Sequence, residues 1–281
     1  MGGVRPAAEA EEREAELDGI LARMGSMVVA FSGGVDSSYL ALRAHRVLGA
    51  RSLAVTADSE SLAERQRRTA RDVANRFGFP HRFIRTFELE DPLYARNAPD
   101  RCYRCKSELF QKLVPLARAE GYAHVAYGLI VDDLADVRPG HRAAAEAGVR
   151  SPLAEAGLTK AQVRELSRGA GLPTWDMPAS PCLSSRVAYG MPVTGPVLRQ
   201  VEGAEEAVAA LGFREFRVRH LGPSARVEIA AQEMGRLGID GMRQAVEEAV
   251  RGAGYERVVL DPRGYRRGSL NEATAAGDSG V

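Results

Sequence analysis

The chain has 281 residues, 45% of them apolar and 27% charged, with a formal net charge of +1. That length calls for one large unit plus a smaller one, and no apolar run reaches the ~18 residues that span a bilayer. The near-neutral balance argues against a broad surface for tracking nucleic acid, so a nucleic-acid partner is not expected.

The first segment, Glu-rich from Glu9 to Glu16, lacks the basic-then-apolar form of a signal peptide, so a cytoplasmic location is expected. Residues 11–24 carry amphipathic helical spacing. The apolar run Met27-Val28-Val29-Ala30-Phe31 predicts a strand that empties into Ser32-Gly33-Gly34-Val35-Asp36-Ser37-Ser38. A helix follows over 38–48, with Gly49 as its stop. Leu53 to Ala57 predicts a second strand, 60–77 a helix, 81–87 a third strand, 106–119 a helix, and His124 to Gly128 a fourth strand. Strands alternating with helices of this length predict an α/β fold with a doubly wound parallel sheet. Ligands of such sheets sit beyond the carboxyl ends of the strands, which places Ser32–Ser38, Ala57 and Gly128 along one rim, with adenine against the Ala57 segment.

Residues 129–190 break the rhythm with Pro, Gly and paired charges, apart from a helix over Thr159–Gly171 capped by Thr159. Long irregular stretches of such specific composition are usually functional. From Thr194 a second pattern begins: helix 197–210, strands Phe213–Arg219 and Ala225–Ala230, helix 240–252 and strand 255–260. Three parts are therefore expected: residues 1–190 as the nucleotide-binding domain with the cysteine-bearing loops, 191–267 as a small α+β domain for substrate or oligomerisation, and 268–281 as a disordered tail.

The loop at Ser32 is chemically the most specific segment. Gly33 and Gly34 let backbone amides approach an anion, and Ser37 and Ser38 open a helix whose N-terminus favours negative charge. It has no Walker lysine and resembles the SGGxDS signature of the PP-loop ATP pyrophosphatases. That resemblance implies ATP as substrate, pyrophosphate as leaving group, and Asp36 as a holder of Mg²⁺.

Three cysteines, Cys102, Cys105 and Cys182, are an odd number for a disulfide framework and too few for a four-cysteine zinc site. Arg101, Arg104 and Lys106 flank the Cys-x-x-Cys pair and favour thiolate. Three thiolates without a fourth protein ligand suit an iron–sulfur cluster with one open iron, which can carry sulfide; three unrelated thiols are the plain alternative. Arg138, Arg150, Arg186, Arg217, Arg219 and Arg226 offer guanidinium forks to carboxylate or phosphate, and Arg186, beside Ser184-Ser185, is the strongest of them. Period-2 alternation puts Arg217 and Arg219 on one strand face.

The segments Asn97–Cys102, Asp136–Gly140, Glu146–Leu153, Cys182–Arg186 and Arg217–Arg219 resemble the LarE family, the ATP-dependent sulfur transferases of nickel-pincer nucleotide biosynthesis. The resemblance runs from about Val28 to Arg267. It implies that carboxylates of pyridinium-3,5-biscarboxylic acid mononucleotide are adenylated and converted to thiocarboxylates. It further implies that Ser185, Arg186, Glu205, Arg217 and Arg219 contact substrate, phosphate or metal, and that Lys106 with the arginines stabilises developing charge. Partners implied are a sulfide donor, the other enzymes of nickel-pincer biosynthesis, which serves lactate racemase, and further copies of the chain. Some family members sacrifice one cysteine sulfur; others bind a [4Fe–4S] cluster through three cysteines, the pattern carried here. Single-use chemistry, a PP-loop tRNA thiolase and a non-enzymatic nucleotide sensor are the alternatives.

Overall fold

A computed structural model describes residues 6–134, 139–266 and 269, so Asp136, Val137, Arg138 and the 270–281 tail lie outside the described residues. Its elements in chain order are α1 (Pro6–Met24), β1 (Met27–Ala30), α2 (Val35–Leu48), β2 (Ser52–Asp58), α3 (Glu64–Phe77), β3 (His81–Arg85), α4 (Pro92–Ala95), α5 (Arg101–Ala119) and β4 (His124–Tyr127). They continue with α6 (Pro139–Glu146), α7 (Pro152–Glu155), α8 (Lys160–Gly169), α9 (Gly195–Ala210), β5 (Phe216–Leu221), β6 (Ser224–Ile229), α10 (Met242–Gly252) and β7 (Arg257–Leu260). Two compact units emerge: Met1–Glu88 with Cys102–Ser180, and Leu89–Arg101 with Pro181–Val281.

The first unit is built on a parallel sheet in the order β3-β2-β1-β4. Alternation along its strands serves two cores. Met27, Val29, Ala54 and Ala126 face a cluster with α1, α2, α3 and α8 side chains, whereas Val28, Leu53, Val55 and Val125 face one with α5 and α6. Apolar residues on both faces of each strand are what a sheet covered on both sides requires, so the doubly wound expectation holds. Helix α8 begins at a capping box in which Thr159 and Gln162 satisfy each other's backbone amides. Two boundaries differ instructively from expectation. Helix α5 starts at Arg101, not near 106, so the Cys-x-x-Cys pair lies in its first turn. The stretch after 129 also holds α6 and α7, short helices hidden by their Pro and Gly content.

The second unit carries a sheet in the order β5-β6-β7, antiparallel between β5 and β6 and parallel between β6 and β7. Phe216, Val218, Ala225, Val227 and Ile229 pack with Ala204 and Val208 of α9 and Val246 and Val250 of α10. The opposite sheet face bears Arg217, Arg219, Arg226 and Glu228, and most of it is buried too. A charged face withdrawn from water is the informative departure here, because such groups stay buried only when paired or when they await a ligand. No described helix is long and apolar enough to cross a membrane.

Candidate functional site

Strand β1 delivers Phe31 into the phosphate loop of the first unit. Gly33 has φ +74°, and a Cβ there would stand 3.1 Å from the Ala70 backbone nitrogen of α3, so both conformation and space demand glycine. Ser37 Oγ accepts from Ser32 N at 3.2 Å and donates to Gly34 O at 3.2 Å, closing the loop over the first turn of α2. The Ser38 hydroxyl is fully buried without a protein partner. Amides at a helix start and an unsatisfied buried hydroxyl together form a cradle suited to phosphate oxygens.

Gly128 and Ala57 occupy the same rim in different ways. Gly128 follows β4, and a Cβ on it would lie 2.9 Å from Ser37 N, so its absence of a side chain lets β4 cross α2 closely. Ala57 pairs with Ile84 at the end of β2. Beside it, Thr56 Oγ1 donates to Phe31 O at 2.7 Å and meets His81 Nε2 at 2.8 Å. The single hydroxyl proton is committed to Phe31, so the assigned tautomer has Nε2–H donating to Thr56. Burial first, and then the Arg71 charge, push the His81 imidazole down to about 4, keeping it neutral.

Asp36, expected to hold Mg²⁺, has a partner that the sequence did not disclose. Lys160 Nζ lies 2.7 Å from its Oδ1 and 2.6 Å from its Oδ2. Lys160 is itself stationed by its backbone amide, which donates to Asp132 Oδ2 at 2.8 Å. Hard carboxylate oxygens at the first turn of α2 suit Mg²⁺, with the ammonium occupying the same oxygens.

Cys102 is exposed, Cys105 is half-buried, and neither is in a disulfide; they stand one helical turn apart in α5. Lys106 extends over the Tyr127 ring, its Nζ 4.7 Å from the centroid. A Cβ on Gly140 would stand 2.8 Å from Lys106 Cδ, so that glycine gives the lysine its path. Among the described residues no set of three His, Cys, Asp or Glu side chains is gathered for a metal ion. The donor chemistry of the thiols fits an iron–sulfur group.

Cys182, free and half-buried, caps the 3₁₀ turn Leu183–Arg186 in the second unit. Its carbonyl accepts from the Ser185 hydroxyl at 2.7 Å and from Arg186 at 3.1 Å. Arg186 then forks onto Glu205, Nε to Oε1 at 2.9 Å and Nη2 to Oε2 at 3.0 Å, and Glu205 also accepts from Val218 N on the edge of β5. Arg219 bonds Glu228 at 2.9 Å and Ser185 O at 3.0 Å. Arg217, only 5% exposed, lies over the Tyr265 ring at 4.7 Å. All five residues expected to contact substrate thus belong to one nest. Arg226, which pairs with both Glu228 and Asp261, extends it, and the sequence reading missed Glu228. Cations outnumber carboxylates in this set. Burial pulls Arg186 toward neutrality, but Glu205 more than compensates and its net direction is upward. Burial lowers Arg217, with Arg186 adding to the effect; burial lowers Arg219 although Glu228 opposes it. An anion entering the nest would relieve this strain.

The asparagine synthase family model matches residues 22–96, the span of the phosphate loop and β2. A pyridinium-3,5-bisthiocarboxylic acid mononucleotide synthase of Lactiplantibacillus plantarum is 34% identical over 261 residues, 92% of this chain and 94% of that protein. The chain belongs to the LarE family. As a LarE-family protein it is an ATP-using sulfurtransferase with a PP-loop α/β fold. An uncharacterized protein of Synechocystis is 42% identical over 87% of the chain and 91% of its own length. One of Methanocaldococcus jannaschii is 24% identical over 85% and 90%.

Proposed function

We propose that this LarE-family protein adenylates the carboxylates of pyridinium-3,5-biscarboxylic acid mononucleotide and converts them to thiocarboxylates, using sulfur supplied through Cys102, Cys105 and Cys182. The Lactiplantibacillus relative is named for the bisthiocarboxylic product, which supports this substrate. A carboxylate oxygen attacks the α-phosphorus of ATP, the bond to the β-phosphate oxygen breaks, and pyrophosphate leaves into the cradle of Ser32–Ser38 amides. Asp36 would hold Mg²⁺, which would supply positive charge beside the departing phosphates, and Lys160, released from Asp36, follows the charge onto pyrophosphate. The carboxylate is thereby made an acyl adenylate, and sulfur displaces AMP at the acyl carbon. Arg186, Arg217 and Arg219 bind the nucleotide phosphate, with Ser185 and Glu205 fixing their orientation, and Lys106 stabilises the developing oxyanion.

The three thiols would hold a [4Fe–4S] cluster, which supplies an open iron able to carry sulfide and so permits repeated turnover. One observation supports this choice over a sacrificial cysteine: none of the three cysteines is in a disulfide, and two stand one turn apart in α5, next to Lys106. A sulfide donor, neighbouring enzymes of the nickel-pincer route and a homo-oligomeric state complete the proposal. Anaerobic reconstitution with iron and sulfide is the test. Stoichiometric cluster and several thiocarboxylates per chain are expected; an iron-free protein that makes one per chain and leaves dehydroalanine at one cysteine would overturn the cluster.

A further inference from the structure

Tyr94, Asn97 and Arg101 are buried in the second unit. They close on the turn that carries Cys182. Tyr94 Oη meets Ser184 Oγ at 2.7 Å. Asn97 Nδ2 donates to Val187 O at 3.2 Å and to Ala188 O at 2.8 Å, while its Oδ1 accepts from Arg101. Arg101 Nη1 donates onward to Ser184 O at 2.7 Å. Three carbonyls between 184 and 188 are therefore anchored from residues 97 and 101. Backbone groups of a buried turn need partners, and here side chains from a sequence-distant segment provide them.

Asn97 adopts φ +60°, the one positive-φ non-glycine residue among those described. Asparagine tolerates this conformation better than most side chains, but it is still held against a conformational preference. The backbone adopts it where the side chain can reach both carbonyls and Arg101 together. Arg101 also immediately precedes Cys102. The same five-residue span, Asn97 to Arg101, thus anchors the turn after Cys182 and leads into the Cys102 helix turn.

We propose that Tyr94, Asn97 and Arg101 form a positioning clamp that sets the direction of the Cys182 thiol. The clamp rests on the reading of Cys182 as part of the sulfur-delivering set. Its failure has a chemical signature. When sulfur is misdirected, water attacks the acyl carbon instead, the carboxylate is re-formed, and AMP leaves with the bridging oxygen. AMP is then released without thiocarboxylate.

Asn97→Gly tests this, because glycine accepts φ +60° while deleting the Asn97 side-chain bonds to Val187 O, Ala188 O and Arg101. The readouts are thiocarboxylate formed per AMP released and the rate of iodoacetamide labelling at Cys182, measured by peptide mass. The coupling ratio is expected to fall at least fivefold and labelling to change at least threefold. A lower fraction of folded protein would leave that ratio untouched. Tyr94→Phe, which removes one hydroxyl, is the second variant and decides the matter if Asn97→Gly does not fold; a smaller fall in the same direction is expected. Unchanged coupling and unchanged labelling in the folded variants would overturn the clamp. If the wild-type protein makes no thiocarboxylate, the sulfur-transfer reading fails by itself, and altered or unaltered Cys182 labelling then supports or overturns the clamp.

Discussion

Replacing Lys160 with methionine separates what its ion pair does for stability from what it does for chemistry. The ammonium lies 2.6 and 2.7 Å from the two Asp36 oxygens, but about a third of the lysine side chain remains exposed. Pairs of that exposure contribute less than about 1 kcal/mol, so melting should shift by no more than roughly 2–4 °C. Chemistry should suffer far more. A unit charge about 4 Å from departing pyrophosphate, at an effective dielectric constant of about 20, is worth about 4 kcal/mol. Giving up Asp36 to reach that position costs less than about 1 kcal/mol of the gain, leaving about 3 kcal/mol in the transition state, or on the order of a hundredfold in rate. ATP- and substrate-dependent pyrophosphate release, followed with a coupled phosphate assay, should therefore slow about a hundredfold in Lys160→Met. The Mg²⁺ midpoint should move to lower concentration, since Asp36 loses its rival cation. A variant that melts normally and releases pyrophosphate within threefold of wild type would refute the assignment.

Other consequences concern pH and the buried nest. His81 titrates near 4 in the folded chain, against about 6.5 when unfolded. Between these values the unfolded state binds the extra proton, so stability rises with pH across that window and is lost as pH falls from 6.5 toward 4. His81→Gln keeps a donor toward Thr56 without titrating, and should flatten the acid limb of melting temperature against pH. Arg186→Met strands Glu205 in a buried site and should cost about 3–5 kcal/mol in denaturant unfolding. Arg186→Met with Glu205→Met should recover at least half of that loss, while substrate KM remains raised because the anion-binding fork is gone.

The parallel sheet and the phosphate loop were legible because both are local in sequence: apolar runs at strand spacing, and glycines followed by serines at a helix start. Helix α5 was legible except for its first turn, where Arg101-Cys102-Tyr103-Arg104-Cys105 shows no apolar periodicity and the turn is made in part by Arg101 bonding Asn97 and Ser184. The nest was half legible. Alternation puts Arg217 and Arg219 on one face, but their burial depends on register, which sets Arg217 opposite Glu228 and Arg219 opposite Arg226. Strand spacing alone carries no information about that pairing.

Lys160 marks the sharper limit, since its neighbour Thr159 was recognisable as a helix cap from composition alone. A cap fixes where a helix starts and leaves open what its first side chain faces. Asp36 stands 124 positions away, and only the sheet order, with β4 beside β1 and α8 packed near α2, makes the two converge. The loop motif had already claimed Asp36 for Mg²⁺. With a lysine on the same oxygens, that carboxylate becomes a choice between two cations, and the predicted shift in Mg²⁺ midpoint follows from mass action. Removing the tethered competitor must tighten the free one if both use Asp36, and an unmoved midpoint would mean that they do not.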